Sequence, residues 1–141
     1  MSGVVFVDTN ILIYAHDQDA GVKRERAIKR LRELWDSNLG VLSVQVLQEF
    51  YVNVTRTLAS PVAVPIAREV VETYGTWIRA ATTVDTITRA SHIAELAQIS
   101  FWDAMIVASA EEAGASQIYT EDLNAGQSLA GILVVNPLTT A

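Results

Sequence analysis

The residues of this chain best suited to chemistry are its acids. Asp8 follows the apolar run Val4-Val5-Phe6-Val7. Glu49 and Asp103 fall within two turns after Ser43 and Ser100, and Glu121 and Asp122 follow the segment Gln117–Thr120. Carboxylates gathered without a cation repel one another. A hard divalent ion, Mg²⁺ or Mn²⁺, prefers carboxylate oxygens and water. One or two such ions can hold a phosphodiester, activate a water and stabilise the leaving oxygen. That chemistry needs neither thiolate nor imidazole, and the chain has no cysteine and only two histidines, His16 and His92. Disulfide scaffolds, thiolate zinc sites and cysteine nucleophiles are excluded together.

Each acid also has an ordinary reading. Asp8 can cap the helix after the first strand. Glu49 can be a solvated helix residue, and Asp103 completes the capping pattern Ser100-x-x-Asp103. Asp122 suits a turn before Asn124 and Gly126. Taken singly, these readings win or tie. Only the joint placement of the acids favours chemistry.

Placement depends on the elements. Val4–Val7 is a short continuous apolar run, which predicts a buried strand. Thr9 to about Ala15 reads as a short helix. From about Ala20 to Trp35 the apolar residues Ala27, Ile28, Leu31, Leu34 and Trp35 recur at helical spacing. The opposite face carries Lys23, Arg24, Arg26, Lys29, Arg30 and Arg32, most of the chain's 10 basic residues. Leu39–Leu42 is a second strand candidate. Val44, Leu47, Tyr51, Val54 and Leu58 predict one helix face, and Ile66, Val70, Tyr74 and Ile78 predict the next, with Pro65 in its first turn. Thr82-Thr83-Val84 is a weak strand, with Asp85 capping a helix to about Ala97. Ser100 opens a helix that stops at Gly114. Gln117–Thr120 and Ile132–Val135 complete the strands. Alternation of this kind implies βα units and a mostly parallel sheet with helices on both faces. Ligands then bind beyond the carboxyl ends of the strands, near the switch in strand order.

Composition sets the frame. With 141 residues, the chain should bury about two-thirds of its unfolded surface, enough for one domain over residues 1–141. At 50% hydrophobic and 18% charged residues it is too apolar for disorder. There is no basic leader and no apolar stretch near ~18 residues, so a soluble, cytoplasmic protein without a membrane partner is expected. The formal charge of -6 lacks the basic footprint usual in nucleic-acid binders. Acids committed to a metal count in that total without facing a partner bare, so the sign does not decide the partner.

The segments Val7-Asp8-Thr9-Asn10, Gln48-Glu49-Phe50, Ser100-Phe101-Trp102-Asp103-Ala104 and Thr120-Glu121-Asp122-Leu123 resemble the motifs of PIN-domain ribonucleases, more narrowly the VapC-type toxins of toxin–antitoxin pairs. The resemblance runs from the first strand to Val134-Val135-Asn136-Pro137. It implies a three-layer α/β/α sandwich with a central, mainly parallel sheet. It implies that Asp8, Glu49 and Asp103 coordinate Mg²⁺ or Mn²⁺. Asp122, favoured over Glu121, would be the fourth acid, with Asn10 and Thr120 as supporting polar residues. The implied activity is endonucleolytic cleavage of RNA, restrained by a cognate antitoxin, in a chain that forms a homodimer. Lys23, Arg24, Arg26 and Arg30 are candidate contacts for RNA or antitoxin, although a basic helix face is more often merely solvated. Trp35, Trp77 and Trp102 read as core or interface, although Trp102 adjoins the acids and could line the site. His16 reads as a helix-end residue and His92 as packing or surface.

Other classes of protein also place acids at strand ends. A haloacid-dehalogenase-like phosphatase wants a second aspartate two residues after the first, where this chain has Asn10. A phosphoacceptor receiver wants a late lysine, and the only lysines are Lys23 and Lys29. A module that binds RNA or a protein without cutting predicts no loss of function when an acid is neutralised.

Overall fold

The computed structural model describes residues 3–139. Strand β1 (Val4–Val7) runs straight into helix α1 (Thr9–His16), and α2 (Val22–Ser37) leads to β2 (Gly40–Val41). Helix α3 (Val44–Val52) continues as a wide π turn over Asn53–Thr57, followed by α4 (Val64–Tyr74) and a 3₁₀ turn at Gly75–Trp77. Helices α5 (Val84–Ala97) and α6 (Phe101–Glu112) precede β3 (Ala115–Tyr119), β4 (Ser128–Leu129) and β5 (Ile132–Val135). One five-stranded sheet results, in the order β2-β1-β3-β5-β4, parallel except where β4 meets β5.

Side chains alternate between sheet faces along a strand. Val5, Phe6 and Val7 are nonetheless all buried, so β1 is covered on both faces, as an interior parallel strand requires. Helix α6 is just as enclosed: every residue from Ala104 to Ala110 is buried. The expected α/β architecture with a mainly parallel sheet is therefore present.

Several local expectations change. Thr82-Thr83-Val84 is not a strand. Thr83 is the N-cap of α5, sharing a reciprocal capping box with Thr86, and Asp85 sits in the first turn instead of capping it. Two β-branched threonines in a row suggested extended backbone, but their hydroxyls serve a helix start. Ile78 lies beyond α4, which ends at Tyr74, and pairs with Leu42 in an isolated parallel bridge. The helix bearing Val54 and Leu58 widens at Asn53, whose side-chain amide donates to the Glu49 carbonyl at 2.8 Å, while Thr55 Oγ1 donates to the Tyr51 carbonyl at 2.7 Å. Such side-chain bonds compete with the regular helical ladder.

The strand order fixes where a ligand could sit. From β1 the chain crosses to β2 on one side, and from β3 it goes on to β5 on the other. The reversal therefore lies between β1 and β3, the position at which a crevice opens in such sheets. There, Val7 pairs with Tyr119, the Asp8 N–H donates to the Tyr119 carbonyl at 3.0 Å, and the Thr120 N–H donates to the Val135 carbonyl at 3.0 Å.

Candidate active site

Asp8 stands where β1 stops. Its extended backbone (φ -75°, ψ 161°) makes it the N-cap of α1, and its Oδ1 accepts from the Thr9 N–H at 2.7 Å. The ordinary capping reading is thus fulfilled, but it does not exhaust the side chain. Oδ2 accepts from Thr120 Oγ1 at 2.8 Å and from Asn10 Nδ2 at 3.4 Å. A carboxylate has about four acceptor directions, so three donors leave it with spare capacity. Asp8 is only 5% exposed. Burial pushes its pKa up to about 6, against the lowering effect of the Thr120 and Thr9 hydrogen bonds and reinforced by the negative charges of Asp122 and Glu49. Loss of hydration thus dominates, with like-charge repulsion as a smaller contribution.

Asn10 ties the two sides of the crevice together. Its two amide hydrogens are shared among Asp8 Oδ2, Thr120 Oγ1 (3.2 Å) and Asp122 Oδ2 (3.0 Å). Its Oδ1 accepts from the Glu121 N–H at 3.3 Å. Thr120, fully buried, donates to Asp8 and accepts from the Asp122 N–H at 3.1 Å. A third segment joins through Thr9, whose hydroxyl donates to Glu49 Oε1 at 2.9 Å across forty positions of sequence. Asp103 arrives on the first turn of α6. Its backbone N–H is taken by Ser100 Oγ at 3.1 Å, so the cap is formed by Ser100 and does not require the Asp103 carboxylate.

These side chains line one cleft of about 200 Å³, whose wall includes Asp8, Asn10, Glu49, Asp103 and Asp122. Glu121 does not line it. That carboxylate accepts from Tyr14 Oη and pairs with Lys23 Nζ at 3.0 Å, and the Lys23 ammonium lies 4.9 Å from the Tyr14 ring centroid. The Glu121 bond in turn pushes the Tyr14 hydroxyl above its usual pKa. Adjacent acids thus diverge: Asp122 faces the cleft and Glu121 fastens the loop carrying it to α1 and α2.

The donor set suits a hard divalent cation, because the cleft is lined by carboxylates and amides and by no thiol or imidazole. Among the described residues, no three acids or histidines are close enough to one another to ligate a common ion in their present rotamers. Mg²⁺ commonly binds through one or two carboxylates and keeps several waters, so spaced carboxylates around a wet cleft are compatible with it.

The basic candidates are distributed differently. Lys23 is paired with Glu121, Arg26 donates to the Leu138 carbonyl at 2.7 Å, and Arg30 pairs with Glu33 at 3.2 Å. Arg24 is exposed. His16 ends α1, with Nδ1 2.9 Å from the Leu12 carbonyl and its ring edge-on to Phe50. His92 is exposed. Neither lines the cleft.

A family model described as the PIN domain matches residues 5–127. The chain belongs to the PIN domain family. Three solved structures share the PIN-domain fold at low identity. A structure described as Mycobacterium tuberculosis VapC20, a sarcin-ricin loop cleaving toxin, is 21% identical, with a TM-score of 0.61 over 84% of this chain and 89% of that one. A structure of FitAB bound to an IR36 DNA fragment is 19% identical, with a TM-score of 0.67 over 96% of each chain. VapBC2 from Rickettsia felis, bound to a promoter DNA fragment, is 16% identical, with a TM-score of 0.60 over 93% of this chain and 96% of that one. No curated protein matches by sequence search. Among the described residues of this PIN domain, no single helix is long and apolar enough to cross a membrane.

All four acids expected from sequence line the cleft, and Asn10 and Thr120 bridge two of them. Thr9, Gln45 and Asn53 were missed, although each contributes to the same wall. Thr9 lies inside the Asp8-Thr9-Asn10 segment and was legible as a polar neighbour. Gln45 and Asn53 gave no signal, because each is one of many amides on a helix whose facing depends on where α3 docks.

Proposed function

We propose that this PIN domain is a metal-dependent endoribonuclease of the VapC type, acting as the toxin of a toxin–antitoxin pair. The observation that carries the proposal is the convergence of Asp8, Glu49, Asp103 and Asp122 on one cleft at the β1/β3 switch in strand order. Asp8, Glu49 and Asp103 would hold Mg²⁺ or Mn²⁺, in part through water because no three acids among the described residues reach a common point in their present rotamers, and Asp122 would assist directly or through water. When bound, the cation supplies charge neutralisation for a phosphodiester and lowers the pKa of a coordinated water. Thr120 and Asn10 hold the Asp8 carboxylate in one orientation by charge-assisted hydrogen bonds. Thr9 does the same for Glu49. Buried Asp8, disposed to take a proton near pH 6 without a cation, is held as the anion once a positive charge arrives beside it.

Similarity to the VapC20, FitAB and VapBC2 structures supports the toxin reading and an antitoxin protein as partner; a homodimer in the cytoplasm is part of the same proposal. Exposed Arg24 and the Lys23 end of α2 are the basic positions best placed to meet RNA or an antitoxin; Arg26 and Arg30 are partly drawn into internal bonds. The test is cleavage of total RNA by the purified chain. Cleavage in Mg²⁺ or Mn²⁺, abolished by EDTA and restored by adding the ion back, is the expected result. Cleavage that persists through full chelation would defeat the metal assignment, and no cleavage with either ion would defeat the nuclease reading.

A further inference from the structure

A second hollow opens beside the acid cleft and shares a wall with it. Gln45 and Trp102 line both. The hollow measures about 690 Å³, within the range of roughly 300–1,000 Å³ usual for small-ligand sites. Its remaining wall is mainly apolar, including Val44, Ile78 and Met105, with Arg79 as its one charged residue. The two spaces are therefore opposite in kind. The first carries only negative charge, whereas the second offers an apolar surface and one cation.

Three details of the shared wall point to a ligand. The Trp102 side chain is 64% exposed although it follows Phe101 at the start of a helix whose body is buried. Its contact with Phe101, edge-on at 5.2 Å between centroids, holds the indole at the rim without burying it. An indole held in water beside a catalytic cleft is a surface for stacking. Next to it, Gln45 Oε1 is buried with no hydrogen-bond partner, and Gln45 Nε2 has only a long 3.5 Å bond to the Trp102 carbonyl. The amide thus has unused capacity just beneath the wall where the spaces meet, and a rotation of the Gln45 side chain would bring it into the hollow. Across the hollow, exposed Arg79 makes one long bond, 3.5 Å to the Asn38 carbonyl, and no salt bridge among the described residues.

We propose that this hollow is a nucleobase subsite for the nucleotide flanking the scissile phosphate of single-stranded RNA. Trp102 stacks on the base, the Gln45 amide meets its polar edge, and Arg79 attracts the next phosphate. The subsite rests on the nuclease reading and adds to it the place where the base beside the cut is held. In a duplex the base faces are already stacked and unavailable to an aromatic side chain.

The test uses the full chain carrying Asp8→Asn, to suppress cutting, titrated with a ten-nucleotide oligoadenylate and followed by tryptophan fluorescence and by fluorescence anisotropy of the labelled RNA. Quenching on binding is expected. Adding Trp102→Ala should weaken affinity by roughly 5- to 100-fold without changing the salt dependence. Trp102→Phe should lose the quenching but hold affinity within a few-fold, because a phenyl ring still stacks. Arg79→Ala should weaken binding and lower the salt slope by about 1. Unchanged affinity in Trp102→Ala overturns the subsite and leaves the hollow to a protein segment. The same holds if Trp102→Phe binds as poorly as Trp102→Ala, because the indole would then be structural. Failure of the underlying reading gives a separate signal, no RNA cleavage by the unsubstituted chain with either metal, and overturns both.

Discussion

Two corners of the sheet, one on either side of β1, are built on opposite terms. At its carboxyl end β1 delivers Asp8 into a buried position among other acids, where its ionised form is disfavoured. On its other flank β2 brings Gly40 under an aromatic cluster in which Trp77 lies 4.7 Å from Trp35 and 4.9 Å from Tyr74, centroid to centroid. The aromatic corner buries Tyr74 and Trp77 against each other, with Trp35 as its partly exposed outer edge at 39%. The acidic corner keeps like charges beside a buried carboxylate, Asp122 and Glu49 both acting on Asp8. Local strain or repulsion retained at one place in an otherwise consistent fold marks that place as functional.

Substitutions at the two corners should separate activity from stability. The largest expected effect is at the acids. Asp103→Asn should reduce RNA cleavage by at least about 100-fold while the melting temperature moves little, because Ser100 supplies the cap. Initial rates and thermal melts on the same samples check this; parallel loss of both would make Asp103 structural. Gly40→Ala should do the reverse. A Cβ there would stand 2.5 Å from Trp77 Cζ3, and the ring is wedged between Trp35 and Tyr74, so overpacking should cost about 1–3 kcal/mol in urea unfolding. Cleavage per folded molecule should stay within twofold. The smallest effect belongs to Glu121→Gln, which loosens the loop carrying Asp122 from Tyr14 and Lys23. Lys23 is 46% exposed and Glu121 22%, and glutamine still accepts from Tyr14, so stability should fall by about 1 kcal/mol. The Mg²⁺ concentration for half-maximal cleavage should rise a few-fold, measured by metal titration; no rise would mean that the clamp does not position Asp122.

The sequence disclosed most where one local rule dominated. The apolar run Val4–Val7 had to be a covered strand, and Asp8 directly after it had to sit at a strand end. The acidic set was legible only jointly, through the order of the four motifs that resemble the PIN domain, because each acid alone had a capping, turn or solvated-helix reading. Spatial bonds were not legible: nothing in the chain announces that Thr9 reaches Glu49, or that Glu121 turns towards Lys23 while Asp122 turns inward. Strand β4 was missed because it has two residues and its hairpin uses Ala130 and Gly131, both at positive φ (51° and 79°). Alanine is an uncommon choice there and lacks the Asn-Gly signal that marks such turns. The π turn after Glu49 was hidden by the smooth apolar spacing of Tyr51, Val54 and Leu58, which an α-helix explains equally well.

The acidic corner also has a pH signature. Asp8 ionises near 3.8 when unfolded and at about 6 when folded. The contribution of Asp8 to the stability of the cation-free chain is therefore fully present below pH ~4 and is lost as pH rises through about 6, roughly 3 kcal/mol on that shift.

Asp8→Asn examines the charge and the chemistry together. Asparagine caps a helix as well as aspartate does and carries no charge to bury. Cleavage of RNA and metal-free unfolding should be measured side by side at pH 7. The expected result is cleavage reduced at least about 100-fold in a chain that stays folded, with the buried charge removed but one acceptor lost to Thr120 and Asn10. Parental cleavage rates in the asparagine variant would contradict the account.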